Sequence, residues 1–187
     1  MGILLKQKPV KLVSSIIYRE EGSLSSIMQK MCRCFGEVEP LQAKLPFDKT
    51  DYYYEEFGKP LMRKLVCFKR LVDPEKIYRV KLVSNRLEDG MRVGGNRTVN
   101  VDPGYITEAK LILLTTKDYS HRIYLRGRIF AESTLCFTKG SFQAWPWTYP
   151  DYSSREVVEY FMKVREKYME DIKNMSQKNF LSGIKCF

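Results

Sequence analysis

Residues 73–101, DPEKIYRVKLVSNRLEDGMRVGGNRTVNV, hold one complete step from helix to strand, and the fold class turns on how they are read. Asp73 is a strong helix N-cap, and Pro74 suits the first helical position, where its missing N–H would have no partner anyway. Ile77, Val80, Val83 and Leu87 then recur on one face until Gly90, the spacing of an amphipathic helix. Gly94-Gly95-Asn96 marks a turn, and residues 97–101, RTVNV, form a short strand whose Val99 and Val101 share one side.

Upstream, VKLVSSIIY, residues 10–18, is an apolar, β-branched run of strand length. Gly22-Ser23 opens a helix carrying Leu24, Ile27, Met28, Met31 and Phe35 on one face, with Gly36 as its stop. Leu41, Ala43, Leu45 and Phe47 alternate along a second strand, 37–47, and residues 61–68 form a third. Between them lies a tyrosine-rich loop, DKTDYYYEEFGKP, 48–60, whose Tyr52, Tyr53, Tyr54 and Phe57 either cover the sheet or line a cleft. The order β-α-β-β-α-β predicts an α+β chain with a ferredoxin-like βαββαβ sandwich, an antiparallel sheet covered on one face by two helices.

Downstream of Asp102-Pro103-Gly104, residues 107–117 read as a short buried helix opened by Thr107, with a further strand as the alternative. Residues 121–125 and 129–137 around Gly127 form a β-hairpin that points Ile123 and Leu125 at Phe130, Ser133 and Leu135, and AWPWTYPDY is an extended, proline-stiffened segment. Ser153 and Glu156 make a capping box for a final amphipathic helix with Val157, Phe161, Val164, Tyr168 and Ile172 on one stripe. Residues 1–175 are expected to form one domain and 176–187 a polar C-terminal tail.

The composition, 44% hydrophobic and 29% charged over 187 residues, is that of a globular chain able to bury a core. No apolar run approaches the ~20 residues of a membrane span, and the N-terminal stretch is too short for a signal peptide. A cytoplasmic protein with no membrane partner is expected. Five cysteines without a C-x-x-C pair argue for reduced thiols rather than zinc. The net charge of +10 is concentrated centrally, since residues 59–128 carry 16 basic and 7 acidic groups. Such an excess suits a polyanion or a phosphorylated small molecule.

Residues 102–152 hold the single histidine, both tryptophans and the most varied polar chemistry. Asp118 and His121 are the candidate catalytic pair, because a carboxylate that orients an imidazole makes it a general base. Lys117 and Arg122 are candidate holders of an anionic oxygen. Asp102, Glu132 and Tyr53 complete the candidate ligand-binding set. No metal site is expected, and no cofactor or oligomeric state can be read. Three classes of function follow: a domain binding a small anionic or phosphorylated ligand, nucleotides included; a basic RNA-binding module; and a non-catalytic partner-binding protein.

The phrases KPVKL, FDKTDYYYEEFG, VDPEKI, VNVDPGYI, TKDYSHRIYL and PWTYPDY together resemble an uncharacterised bacterial family, domain of unknown function 4416, from about Lys8 to about Tyr168. Members often carry the label "GTP-binding protein", so the resemblance implies nucleotide binding. The residues lack the machinery of a GTPase: there is no G-x-x-x-x-G-K-[ST] loop, and Thr116-Lys117-Asp118 lacks the residue that separates Lys from Asp in the guanine-reading box.

Overall fold

The computed structural model describes Ile3 and residues 7–175; the expected tail, 176–187, lies outside the described residues. Eight strands form one antiparallel sheet: β1 (Val10–Tyr18), β2 (Val38–Pro46), β3 (Met62–Val72), β4 (Val99–Ile106), β5 (Lys110–Thr115), β6 (Ile123–Arg126), β7 (Ile129–Thr138) and β8 (Ser141–Ala144). The order across the sheet is β2-β3-β1-β4-β5-β7-β6, with β8 also paired to β7. Helices α1 (Glu21–Phe35), α2 (Tyr54–Phe57), α3 (Ile77–Asp89) and α4 (Arg155–Met175) complete a mixed α+β architecture. None of the described helices is long and apolar enough to cross a membrane.

β1 is buried along its whole length because both of its faces are covered. Its side chains alternate between them. Leu12, Ile16 and Tyr18 pack with Ile27 and Met31 of α1 and Val80 and Val83 of α3. Val13 joins Leu65, Cys67, Ile106 and the α4 stripe of Val157, Phe161 and Val164 on the opposite face. Helices therefore cover both faces, where the βαββαβ reading predicted one. The additional cover is α4, a 21-residue helix whose buried stripe also includes Tyr160 and Tyr168.

Residues 107–117 are not a helix. Lys110–Thr115 is strand β5, between β4 and β7. The run Leu111-Ile112-Leu113-Leu114 is buried on both sides, Leu111 and Leu113 toward α4 and Ile112 and Leu114 toward α1 and α3. Burial on both faces removes the alternation that distinguishes a strand from a buried helix. The hairpin forms as expected, β6 pairing antiparallel with β7 and Ile123 lying opposite Ala131, but β6 is exposed throughout, with Ile123 at 72% and Leu125 at 37%, so its apolar residues do not pack inward. β8 was not expected. Lys139 (φ 50) and Gly140 (φ 82) make the left-handed two-residue turn that returns the chain from β7 into it. Ser153 is not the cap residue of α4: the helix begins at Arg155 and its first backbone bond, from the Val158 N–H, is accepted by the Ser154 carbonyl at 3.0 Å, while the Ser153 hydroxyl donates to the Pro150 carbonyl at 2.8 Å.

Candidate functional site

Paired to β1 along its full length, β4 meets β5 only at Gly104, Tyr105 and Ile106. Beyond Gly104 the two strands part, and a cavity of about 490 Å³ occupies the fork. At Gly104 the two strands are tightly apposed, since a Cβ there would stand 2.3 Å from the Ile112 carbonyl oxygen. Only glycine allows that approach.

A strand that loses its neighbour leaves backbone groups without partners. At Val101 those groups are taken by α3. Lys81 Nζ donates to the Val101 carbonyl at 2.8 Å, and the Val101 N–H donates to Glu88 Oε1 at 3.1 Å. Both side chains are buried, and both line the cavity. Burial raises the Glu88 carboxyl above its ordinary value, with Lys81 and Arg97 opposing. Such a group stabilises the fold most below the unfolded carboxyl value, and that contribution is lost as pH rises through the raised folded value. Glu88→Gln keeps an acceptor for Val101 and cannot ionise. Its stability relative to the wild type is expected to improve from pH 4 to pH 7 in urea unfolding, and a flat difference would contradict this.

Arg97 joins one wall to the tyrosine loop. Its guanidinium donates to both Glu56 oxygens, Nε at 2.9 Å and Nη2 at 2.7 Å, and to Asn100 Oδ1 at 2.8 Å, with Glu88 Oε2 at 3.3 Å. The pairing holds Glu56 below the usual carboxylate value. Asn100 Nδ2 in turn donates to Asp102 Oδ2 at 2.7 Å, and Lys81 Nζ lies 3.7 Å from Asp102 Oδ1. Asp102 thus stands at the lip of β4 with its side chain about a third exposed. Burial first, then for Tyr53 the charge of Asp102, pushes the Tyr53 and Tyr152 phenols far above their ordinary value.

On the floor, Arg63 is 3% exposed, lies between the Phe47 and Tyr152 rings at 4.8 Å from each centroid, and pairs with Asp151. Its Nε and the Tyr152 hydroxyl are buried without a hydrogen-bond partner. On the β5–β7 wall, Glu132 is 4% exposed and accepts from Arg122 Nε at 2.7 Å, while Arg122 Nη1 donates to the Lys117 carbonyl at 3.2 Å. At the rim, Lys117 Nζ reaches the Tyr52 hydroxyl at 3.1 Å and sits 4.9 Å from its ring centroid.

The fork thus gathers Tyr53, Asp102, Lys117, Arg122 and Glu132 around one cavity. Asp118 and His121 are not brought into it. Asp118 is exposed and outside the lining. His121 stands behind the wall, its Nε2 3.3 Å from Glu132 Oε2 and its ring stacked on Trp147 at 5.3 Å. Trp147 stacks on Trp145 and donates from Nε1 to the Ser133 carbonyl at 2.9 Å, which anchors the proline-rich segment. Sequence reading missed Arg63, Lys81, Glu88, Arg97, Asp151 and Tyr152. Among the described residues no group of three or more His, Cys, Asp or Glu side chains is placed to hold a metal ion.

Comparison with curated proteins and with solved structures gives no match. One protein family does match, across residues 8–168. On that span the chain belongs to the family of domain of unknown function 4416.

Proposed function

We propose that the cavity between β4 and β5 binds a small anionic ligand carrying phosphate, a nucleotide being the class that suits it best. The observation that carries this reading is the balance of charge around the fork. Seven basic and five acidic side chains line it, and one of the basic groups, Lys117, has no carboxylate within ion-pair distance among the described residues. Among the described residues its ammonium is held by the Tyr52 ring and hydroxyl alone. A cation so placed at a rim offers its remaining donors to a phosphate. Tyr52 and Tyr149, 65% and 56% exposed, give the same rim aromatic faces, and a volume of about 490 Å³ is within the range of small-molecule sites. Asp102 and Asn100 supply acceptors and a donor for the polar edge of a ring. Arg122 and Glu132 hold the far wall, with His121 acting only through Glu132. The reading is one of binding, and no reaction is assigned. The first half of the sheet, β2-β3-β1-β4 with α1 and α3 on one face, supports the ferredoxin-like reading of that part.

The test is a thermal-shift panel of nucleoside triphosphates, sugar phosphates and pyrophosphate. A ligand at a hundred times its dissociation constant adds about 2.7 kcal/mol, which for a chain of this size raises Tm by roughly 5–10 °C. Lys117→Glu is expected to abolish the shift while leaving the unliganded Tm unchanged. A silent panel, or a shift that survives in Lys117→Glu, contradicts the reading.

A further inference from the structure

We infer that the β6–β7 turn and the adjoining face of α3 bind single-stranded nucleic acid along its phosphate backbone. This surface is separate from the cavity. The turn reads Arg126-Gly127-Arg128, and two consecutive residues, Gly127 (φ 63) and Arg128 (φ 64), adopt the left-handed conformation. The turn is seated on α3, because a Cβ at Gly127 would lie 3.5 Å from Leu82 Cδ1 and 3.6 Å from Tyr78 Cδ2. Seating fixes where the two guanidinium groups project.

Arg126 and Arg79 both lie with their guanidinium carbons 5.8 Å from the Tyr78 ring centroid, and Arg79 Nε donates to the Tyr78 hydroxyl at 3.1 Å. The hydrogen bond from Arg79, with the positive charge of Arg79 and Arg126, lowers the Tyr78 phenol below its ordinary value, as expected in a locally positive field. Three guanidinium groups around the cavity are neutralised: Arg63 by Asp151, Arg97 by Glu56 and Glu88, Arg122 by Glu132. Arg126 and Arg128 are exposed, and among the described residues neither has a carboxylate within ion-pair distance. Positive charge left open in this way is an electrostatic footprint for a polyanion.

Aromatic surface lies beside the charge. Tyr124 of β6 is 57% exposed and edge-on to Phe130 at 5.4 Å, and it stands two residues before Arg126 on a strand that is exposed along its length. An exposed ring on the strand that leads into two arginines without a carboxylate supplies base stacking and phosphate contact on one hairpin, the combination that holds single strands. An acidic peptide would satisfy the arginines and leave the ring without a stacking partner.

The experiment is fluorescence anisotropy with short labelled single-stranded RNA and DNA at about 50 and 200 mM salt. If Arg126 and Arg128 neutralise two phosphates, affinity falls about 7-fold between these conditions. The charge reversal Arg126→Glu with Arg128→Glu is expected to weaken binding by at least ~10-fold with Tm unchanged, since both side chains are exposed. Tyr124→Ala is expected to cost ~10-fold through lost stacking. Retained binding in the cavity variant Lys117→Glu supports the separate surface. Undiminished binding in the charge-reversed protein overturns the inference, as does binding insensitive to salt or absent at 50 mM. Loss in Lys117→Glu with retention in the arginine variant would place the strand at the cavity and overturn it too. A polyglutamate competitor bound more tightly than the oligonucleotides would assign the surface to acidic protein.

Discussion

Lys11→Met is expected to destabilise the protein by about 3–5 kcal/mol, the usual cost of removing one partner from a buried charge group. Lys11 is 0% exposed, and its ammonium donates to Glu39 Oε1 and Asp171 Oδ2, both at 2.7 Å, with the Lys69 carbonyl at 3.3 Å. The three charges belong to β1, β2 and α4, so this one group ties the last turns of α4 to the sheet. Removing the cation leaves two carboxylates facing each other in a largely dry site, where among the described residues Asp171 alone keeps another ion-pair partner, Lys167 at 2.5 Å. Tm should fall by about 10 °C or more. Replacing Lys11, Glu39 and Asp171 together by apolar residues of similar size should recover most of the loss. Urea unfolding of the single and triple variants measures both effects. A loss below about 1 kcal/mol in Lys11→Met would show that the triad is not a structural tie.

The second large effect is at the fork. Gly104→Ala places a methyl group 2.3 Å from a backbone oxygen, Ile112 O, and 2.9 Å from Leu113 Cδ2. A side chain can rotate away from such a contact, but a carbonyl within a ladder cannot. β4 and β5 must separate at their last shared pairs, at a cost of about 2–3 kcal/mol or more. The separation would also displace Asp102 and Leu113, so any ligand-induced thermal shift should shrink along with stability. Unfolding and thermal shift on the same variant read the two consequences separately. Stability within about 0.5 kcal/mol of the wild type would mean that the strands are not pinned there.

Sequence reading works where one face is wet and one is dry. α1, α3 and α4 declare themselves through apolar stripes whose members are the residues found buried: Leu24, Ile27 and Met31; Ile77, Val80 and Val83; Val157, Phe161 and Val164. β1 announces itself by β-branching rather than by alternation. β5 is lost for lack of a wet face, whereas β6 is found through its turn at Gly127 and only its exposure on both faces is not, since such a strand shows no inward set. Tyr53, Asp102, Lys117, Arg122 and Glu132 can be chosen for their chemistry, but nothing in their spacing shows that β4 and β5 part between them. The missed residues did leave a signal. Arg63 occupies the same side of β3 as the buried Leu65 and Cys67. Lys81, Ser84 and Glu88 continue at helical spacing from Ile77, so a polar row interrupts a buried stripe. Charged residues at positions that the pattern assigns to the core are the informative ones, and these line the fork.

The most direct test of a phosphate-binding cavity is amide hydrogen–deuterium exchange with and without ATP and pyrophosphate. Binding in the fork predicts slowed exchange in residues 99–104, 113–117 and 149–152, and no such change in the Lys117→Glu protein. Exchange unaltered in these segments at saturating ATP and pyrophosphate, or protection confined to residues 123–128, would contradict the account.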